Sequence, residues 1–249
     1  MTEPQIHLLI ALIAAHFCGD FLFQTDHLVE QKKHLRGVLI HAAVVGAVSY
    51  LFCGDWTNWM IPVLVFGSHA LIDEIKLKVP WKGIWVFLAD QVSHLALLAV
   101  FAAALIPVRM QDLTFIQLFG RDYSGVLILF AGWVFATFCC GLIIEQMLAG
   151  FDLAGSTGRG LKDGGKWIGI LERSIIFFLL LINTPAGIGF LITAKTIFRF
   201  GEIQIKDNRK EVEYILIGTL LSFFLAIAGT YAVLLLAKPF LSLPLGLFQ

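Results

Sequence analysis

The chain alternates long apolar runs with short polar stretches. Each run is long enough to cross a bilayer as a helix, or nearly so. The runs cover about residues 5–24, 37–53, 58–75, 84–106, 124–149, 167–183, 186–200 and 214–237, with ends defined to within a few residues. This pattern predicts an all-α fold, a polytopic membrane bundle of about eight transmembrane helices. The sixth and seventh runs are short and joined by Asn183-Thr184-Pro185-Ala186-Gly187, a turn signal, so they form a tight hairpin or dip back without crossing fully. Two four-helix halves follow, residues 1–106 and 107–249, the second with a Gly-rich cytoplasmic loop over 150–167.

Composition excludes the alternatives. Of 249 residues, 58% are hydrophobic and 14% charged, with a mean hydropathy of +0.84. An ordinary soluble domain is about 25% charged, and a disordered chain is far less apolar. The 18 Lys and Arg balance the 18 Asp and Glu, leaving no basic field for nucleic acid. The expected partners are membrane lipid and a small anionic substrate. Cys18, Cys53, Cys139 and Cys140 form no CxxC pair and lie in or beside apolar runs, so they read as packing residues. Residues 1–6 lack Lys and Arg, and the run after them contains His16 and Asp20. That suits a retained first span better than a signal peptide.

The basic residues set the orientation. Lys32, Lys33, Arg36, Lys76, Lys78, Lys82, Arg159, Lys162, Lys166, Arg199, Lys206, Arg209 and Lys210 fall on one side of the eight-span scheme, against only Arg109, Arg121 and Lys238 on the other. The positive-inside rule then places both termini outside the cytoplasm, with the chain integral to the membrane. No connecting loop exceeds about twenty residues, so chemistry belongs in or at the membrane.

Within the first four runs lie Asp20, Asp73 and Asp90, with His16, His41, His69 and His94. An Asp at the bilayer centre costs roughly 2.5–3.5 kcal/mol on the insertion scale and is retained beside a partner or water. His16 and Asp20, His69 and Asp73, and Asp90 and His94 are each four residues apart, which puts each pair on one helix face. Because the spans alternate in direction, all seven groups fall within about 10 Å of the cytoplasmic boundary at about 1.5 Å rise per residue. A shift of 53 residues carries His16, Asp20 and His41 onto His69, Asp73 and His94. The first half thus reads as a duplicated helical hairpin, about 5–53 and 58–106, with parallel copies.

Two imidazoles and a carboxylate per hairpin suit a divalent metal with an open position for water, zinc or manganese, as one ion or two. The candidate ligands are His16, Asp20, His41, His69, Asp73, Asp90 and His94. The competing reading is a hydrogen-bonded polar core, with Asp73 paired to Lys76. Gln24 and Gln91 lie on or beside the same faces as donors to ligands or substrate. Glu172, Arg173, Lys195 and Arg199 read first as cross-helix ion pairs and second as a clamp for an anionic substrate. His27 and His34 read as solvated loop residues.

Several familiar motifs fail. Gly160 to Lys166 fits GxxxxGK, but Trp167 replaces the magnesium-binding Ser or Thr and no strand precedes it. There is no HExxH and no GxSxG, and Phe17 stands where GxGD needs its first Gly.

The pattern His16-x3-Asp20-Phe21-x2-Gln24, His41, His69-x2-Ile72-Asp73-x2-Lys76 and Asp90-Gln91-x2-His94 resembles a bacterial membrane family known only as domain of unknown function 3307. Gly165-Lys166-Trp167-Ile168-Gly169-x2-Glu172-Arg173, Ala194-Lys195-x3-Arg199-Phe200 and Glu213-Tyr214-x3-Gly218-Thr219-Leu220-Leu221-Ser222 resemble it too. The family name implies no activity. More loosely, the His/Asp helices are similar to inner-membrane proteins described as metal-dependent hydrolases, an analogy that favours a metal.

The expectation from sequence is therefore an integral-membrane metal-dependent hydrolase acting at the cytoplasmic interface on a phosphoester or lipid head group. Asp90 would serve as ligand or general base, and Lys76 would hold the anion. The alternatives are a transporter or channel for metal ions or protons, and a structural or signalling subunit with a polar core.

Overall fold

A computed structural model describes residues 1–23, 34–150, 163–203 and 209–242. Among these the fold is all-α. The helices are α1 Glu3–Phe17, α2 Leu35–Cys53, α3 Met60–Lys78, α4 Ile84–Val100, α5 Thr114–Phe119, α6 Asp122–Val134, α7 Cys140–Leu148, α8 Gly164–Leu181, α9 Ala186–Ile203 and α10 Arg209–Ala237. π-helical turns extend α1 over Cys18–Leu22 and α4 over Phe101–Leu105, and a third over Phe135–Cys139 joins α6 to α7. The amides of Phe23 and Ile106 accordingly bond the carbonyls five residues back, on Cys18 and Phe101.

Among the described residues, five segments are long and apolar enough to cross a membrane: Glu3–Leu22, Leu35–Cys53, Ile84–Leu105, Asp122–Leu148 and Val212–Phe240. Three more of the eight expected spans fold as helices but are shorter or less apolar. α3 carries His69, Asp73, Glu74, Lys76 and Lys78, α8 carries Lys166, Glu172 and Arg173, and in α9 only Ala186–Ile197 is apolar. The expected turn between the sixth and seventh runs is present. Asn183 takes a left-handed conformation, and the Thr184 amide bonds the Leu179 carbonyl at 2.7 Å. The short helix α5 and the π-turns were not legible as apolar runs.

The chain forms two compact units, Met1–Val134 with Leu236–Ser242, and a second drawn from Phe135–Leu235. The first thus extends past residue 106 into α6. Bonds across it explain why: Tyr123 donates to the Phe52 carbonyl at 2.7 Å, and Ser242 donates its amide and hydroxyl to Asp122.

In the first unit α1 packs on α2, α2 on α3, α3 on α4, and α4 back on α1, closing a ring. Each helix turns a stripe inward at helical spacing. In α3 the stripe is Ile61, Val65, His69 and Asp73; in α4 it is Asp90, Gln91, His94 and Leu98, continued by Phe101. In α1 it runs through Leu8, Leu12, Ala15 and His16, and in α2 through Val38, His41, Ala42, Val45 and Ser49. One end of the ring is therefore a packed apolar core of Leu8, Leu12, Val45, Ile61, Val65, Leu98 and Phe101. The other end is polar. Leu71, Ile75, Trp85, Val92 and Val100 face outward, which suits lipid rather than water.

Two glycines set the closeness of this ring. A Cβ on Gly19 would meet Val45 Cγ2 at 2.7 Å, and one on Gly46 would meet the Pro62 carbonyl oxygen at 3.0 Å. Hydrogen in place of a side chain lets α1 and α3 approach α2 backbone to backbone.

Candidate metal centre

Asp20, His41 and His69 come from three different helical segments and make the tightest group. Asp20 Oδ1 stands 3.1 Å from His41 Nε2 and 3.1 Å from His69 Nε2, and the two nitrogens are 3.0 Å apart. Asp20 reaches this point from the π-turn. Zinc or magnesium holds N and O donors at about 2.0–2.1 Å, so ligand atoms stand about 3.0 Å apart at right angles and about 3.3 Å at tetrahedral angles. The triangle has the dimensions of one face of such a shell. Three lone-pair donors converge on one point, where a single proton can bridge only one edge and a cation bridges all three.

Asp73 stands next to the triangle. Its Oδ2 lies 3.9 Å from both His41 Nε2 and His69 Nε2, and its Oδ1 lies 4.0 Å from His94 Nε2. Asp73, Asp90 and His94 form a second group whose ligand atoms all lie within 4.8 Å of one another. His94 Nε2 is 3.7 Å from Asp90 Oδ1. Among the described residues neither atom has a hydrogen-bond partner, although both are buried.

His16 joins a third group with His69 and His94, and its ring centroid is 4.9 Å from that of His94. Its Nε2, 3.2 Å from Gln91 Oε1, donates to that oxygen and is held toward the amide. Gln91 is the hub of the network, because its own amide donates at 3.2 Å to both Asp20 Oδ2 and Asp90 Oδ2. Lys76 donates to Asp90 Oδ2 at 2.7 Å, so the ion pair expected for Asp73 is made by Asp90 instead. The reason is helical geometry: Asp73 turns inward along the α3 stripe, whereas Lys76 reaches across the rim to α4.

Two of the three groups cut across the two hairpins, whereas Asp73, Asp90 and His94 all come from the second. The triangle takes Asp20 and His41 from the first and His69 from the second, rather than one complete set from each.

Of the other candidates, Gln24 lies outside the described residues, as does the Arg199 side chain. His34 is exposed and precedes α2. In the second unit Lys195 pairs with Glu172 at 2.6 Å. Arg173 donates to the Thr137 carbonyl in the π-turn at 3.0 and 2.6 Å and to Ser222 at 3.2 Å. Gly141 and Gly169 leave room for its guanidinium, which a Cβ would meet at 2.8 and 2.9 Å. Each of these side chains therefore has partners inside its own unit.

Sequence reasoning passed over His7. It is buried, with Nδ1 2.7 Å from Ser124 Oγ, and ties α1 to α6 at the apolar end of the ring, where Arg121 also bonds Glu3. The Glu3-x3-His7 spacing was the available signal. Trp56 and Trp59 before α3, and Trp81 and Trp85 after it, are exposed and were also overlooked. They stand at opposite ends of a 19-residue helix, about 28 Å long, close to the thickness of a bilayer core.

Residues 8–118 match the family described as Protein of unknown function (DUF3307). The match contains every member of the three His/Asp groups. No curated protein matches the chain, and no solved structure does.

Proposed function

We propose, on the premise that residues 8–118 carry a DUF3307 domain, that the chain is an integral-membrane metal protein with hydrolytic activity at the cytoplasmic interface. The observation that carries this reading is the triangle of Asp20 Oδ1, His41 Nε2 and His69 Nε2, with edges of 3.0 to 3.1 Å. Asp20, His41 and His69 would hold a divalent ion there, which would lower the pKa of a water to about 7 and so supply a nucleophile without a reactive Ser or Cys. Gln91 holds Asp20 in place, and Asp90 offers a buried carboxylate oxygen as proton acceptor. Lys76, with its side chain 40% exposed at the rim, meets an anionic group arriving from the cytoplasm. A phosphoester, free or on a lipid head group, fits this combination.

The apolar core supports an enzyme over a transporter. A path through the ring would have to pass Leu12, Val45, Val65 and Leu98, which pack beyond the site. Elemental analysis of the full-length protein in detergent tests the metal. We expect stoichiometric transition metal, and hydrolysis of bis(p-nitrophenyl) phosphate that stops on chelation and returns with the ion. Background metal in a folded, monodisperse sample would overturn the reading.

Orientation is part of the proposal, with both termini outside the cytoplasm. Alkaline phosphatase fused after Gln249 is expected to be active. A cytoplasmic location for that fusion would mean an odd number of crossings.

A further inference from the structure

The 53-residue repeat makes a sharp demand on the site. If the two hairpins were equivalent about an axis along the membrane normal, the triangle Asp20–His41–His69 would have an image in Asp73, His94 and His16. That image is distorted. His94 Nε2 lies 4.0 Å from Asp73 Oδ1, where the first triangle has 3.1 Å, and His16 Nε2 is engaged by Gln91. Asp90 takes the place left by His16.

The residues responsible have no counterparts in the first hairpin. Shifted back by 53, Lys76, Asp90 and Gln91 fall on Phe23, Gly37 and Val38. One half of the site has therefore acquired an extra carboxylate, an amide hub and an ammonium that the other half lacks. Among the described residues, the buried atoms without a hydrogen-bond partner include His94 Nε2 and Asp90 Oδ1 of this half, 3.7 Å apart, with His94 only 3% exposed. An unpartnered buried imidazole nitrogen and carboxylate oxygen are costly unless something binds them.

We infer that Asp73, Asp90 and His94 form a second, weaker divalent-cation position beside the first, and that the Lys76 ammonium serves as its counter-charge until a cation displaces it.

The inference rests on the metal-centre reading above and specifies how many ions that site takes. Charge sets the order. Asp20, Asp73 and Asp90 with Lys76 docked leave two negative charges, which one divalent ion neutralises. A second ion must compete with a lysine bonded at 2.7 Å. Once Lys76 is displaced, two divalent ions and three carboxylates leave one positive charge, and the freed ammonium sits at the rim. Both favour an anionic substrate. Asp73 lies between the two positions, with one oxygen turned to each.

Zinc binding to the full-length, chelator-stripped protein in detergent tests this, with bound zinc counted by elemental analysis after dialysis at fixed free zinc. The wild type should take one ion first and a second at a free concentration at least about tenfold higher. Lys76→Gln should move the second step at least about tenfold lower and leave the first in place. His94→Ala should remove the second step only, and His41→Ala the first. Should His94→Ala fold poorly, Lys76→Gln alone decides, since its side chain is at the rim. A single ion that is lost in His41→Ala but indifferent to Lys76→Gln sinks the second position while sparing the first. Two ions retained in His94→Ala would do the same. No zinc at any concentration overturns both.

Discussion

Asp20→Asn is expected to empty the metal centre while leaving the protein folded. Asp20 Oδ1 is the one atom common to the two His contacts of the triangle, and Oδ2 holds the Gln91 amide. Asn keeps the size and one acceptor but removes the charge that balances a cation and turns an amide toward one imidazole. Even partners that only orient metal ligands are worth about 10–100-fold in affinity, so loss of a ligand should cost at least about a hundredfold. A purely structural polar core predicts the opposite pattern. There, a neutral amide is easier to bury than a carboxylate, and replacing a buried charged group can stabilise by roughly 1–4 kcal/mol when the remaining partners stay satisfied. Bound metal and melting temperature measured on the same variant separate the two. Unchanged metal content together with a higher melting temperature would remove the main support for a metal centre.

The second large effect is expected from a residue with no side chain. Gly46→Leu places a Cβ 3.0 Å from the Pro62 carbonyl and 3.4 Å from Phe66 Cβ, against α3 backbone that cannot swing away. Overpacking of this kind costs typically 1–3 kcal/mol. The larger consequence is functional, because α2 and α3 supply His41 and His69, whose nitrogens must stay 3.0 Å apart. Metal affinity should therefore fall further than the stability loss alone explains. Gly67→Ala is the control. It lies two residues before His69, and its Cβ would meet nothing within 4 Å, so metal should be retained and stability should rise by about 0.5–1 kcal/mol from helix propensity. Equal metal loss in both variants would show that helix separation is not what matters.

These two residues also mark how far the sequence could be read. Apolar run length gave the helices, because a helix that buries one face in protein and turns the other to lipid is apolar nearly all round. The four-residue spacing of His16 with Asp20 and His69 with Asp73 gave the inward stripes, since i and i+4 share a face in any helix. What spacing could not give is which stripe meets which. That depends on contacts between helices, and here on Gly19 and Gly46, which look like ordinary small residues in an apolar run. Nor does a 3.6-residue period reveal a π-turn, so the register of Asp20 toward His41 and His69 stayed hidden. The pairing of Lys76 shows the same limit. Along the chain it is three residues from Asp73, yet in space it belongs to Asp90. Gln91 was recognised as a neighbour of the site, but its role as the amide joining His16, Asp20 and Asp90 exists only once α1 and α4 close the ring.

The distribution of ligands over the helices has a consequence in time. A membrane protein is inserted as it is made, from its first helix onward. The triangle draws on the π-turn that follows α1, on α2 and on α3, so its last ligand, His69, enters the membrane with the third helix. The second group must wait for α4, which supplies both Asp90 and His94. Until then Asp73 has no α4 neighbour and Lys76 no Asp90 to dock on. A cation captured by the first three helices would neutralise Asp20 before the ring shuts, when an unbalanced carboxylate is most exposed to lipid. On the metal-centre reading, an ion present during synthesis would thus meet a complete first triangle one helix before it meets the second group.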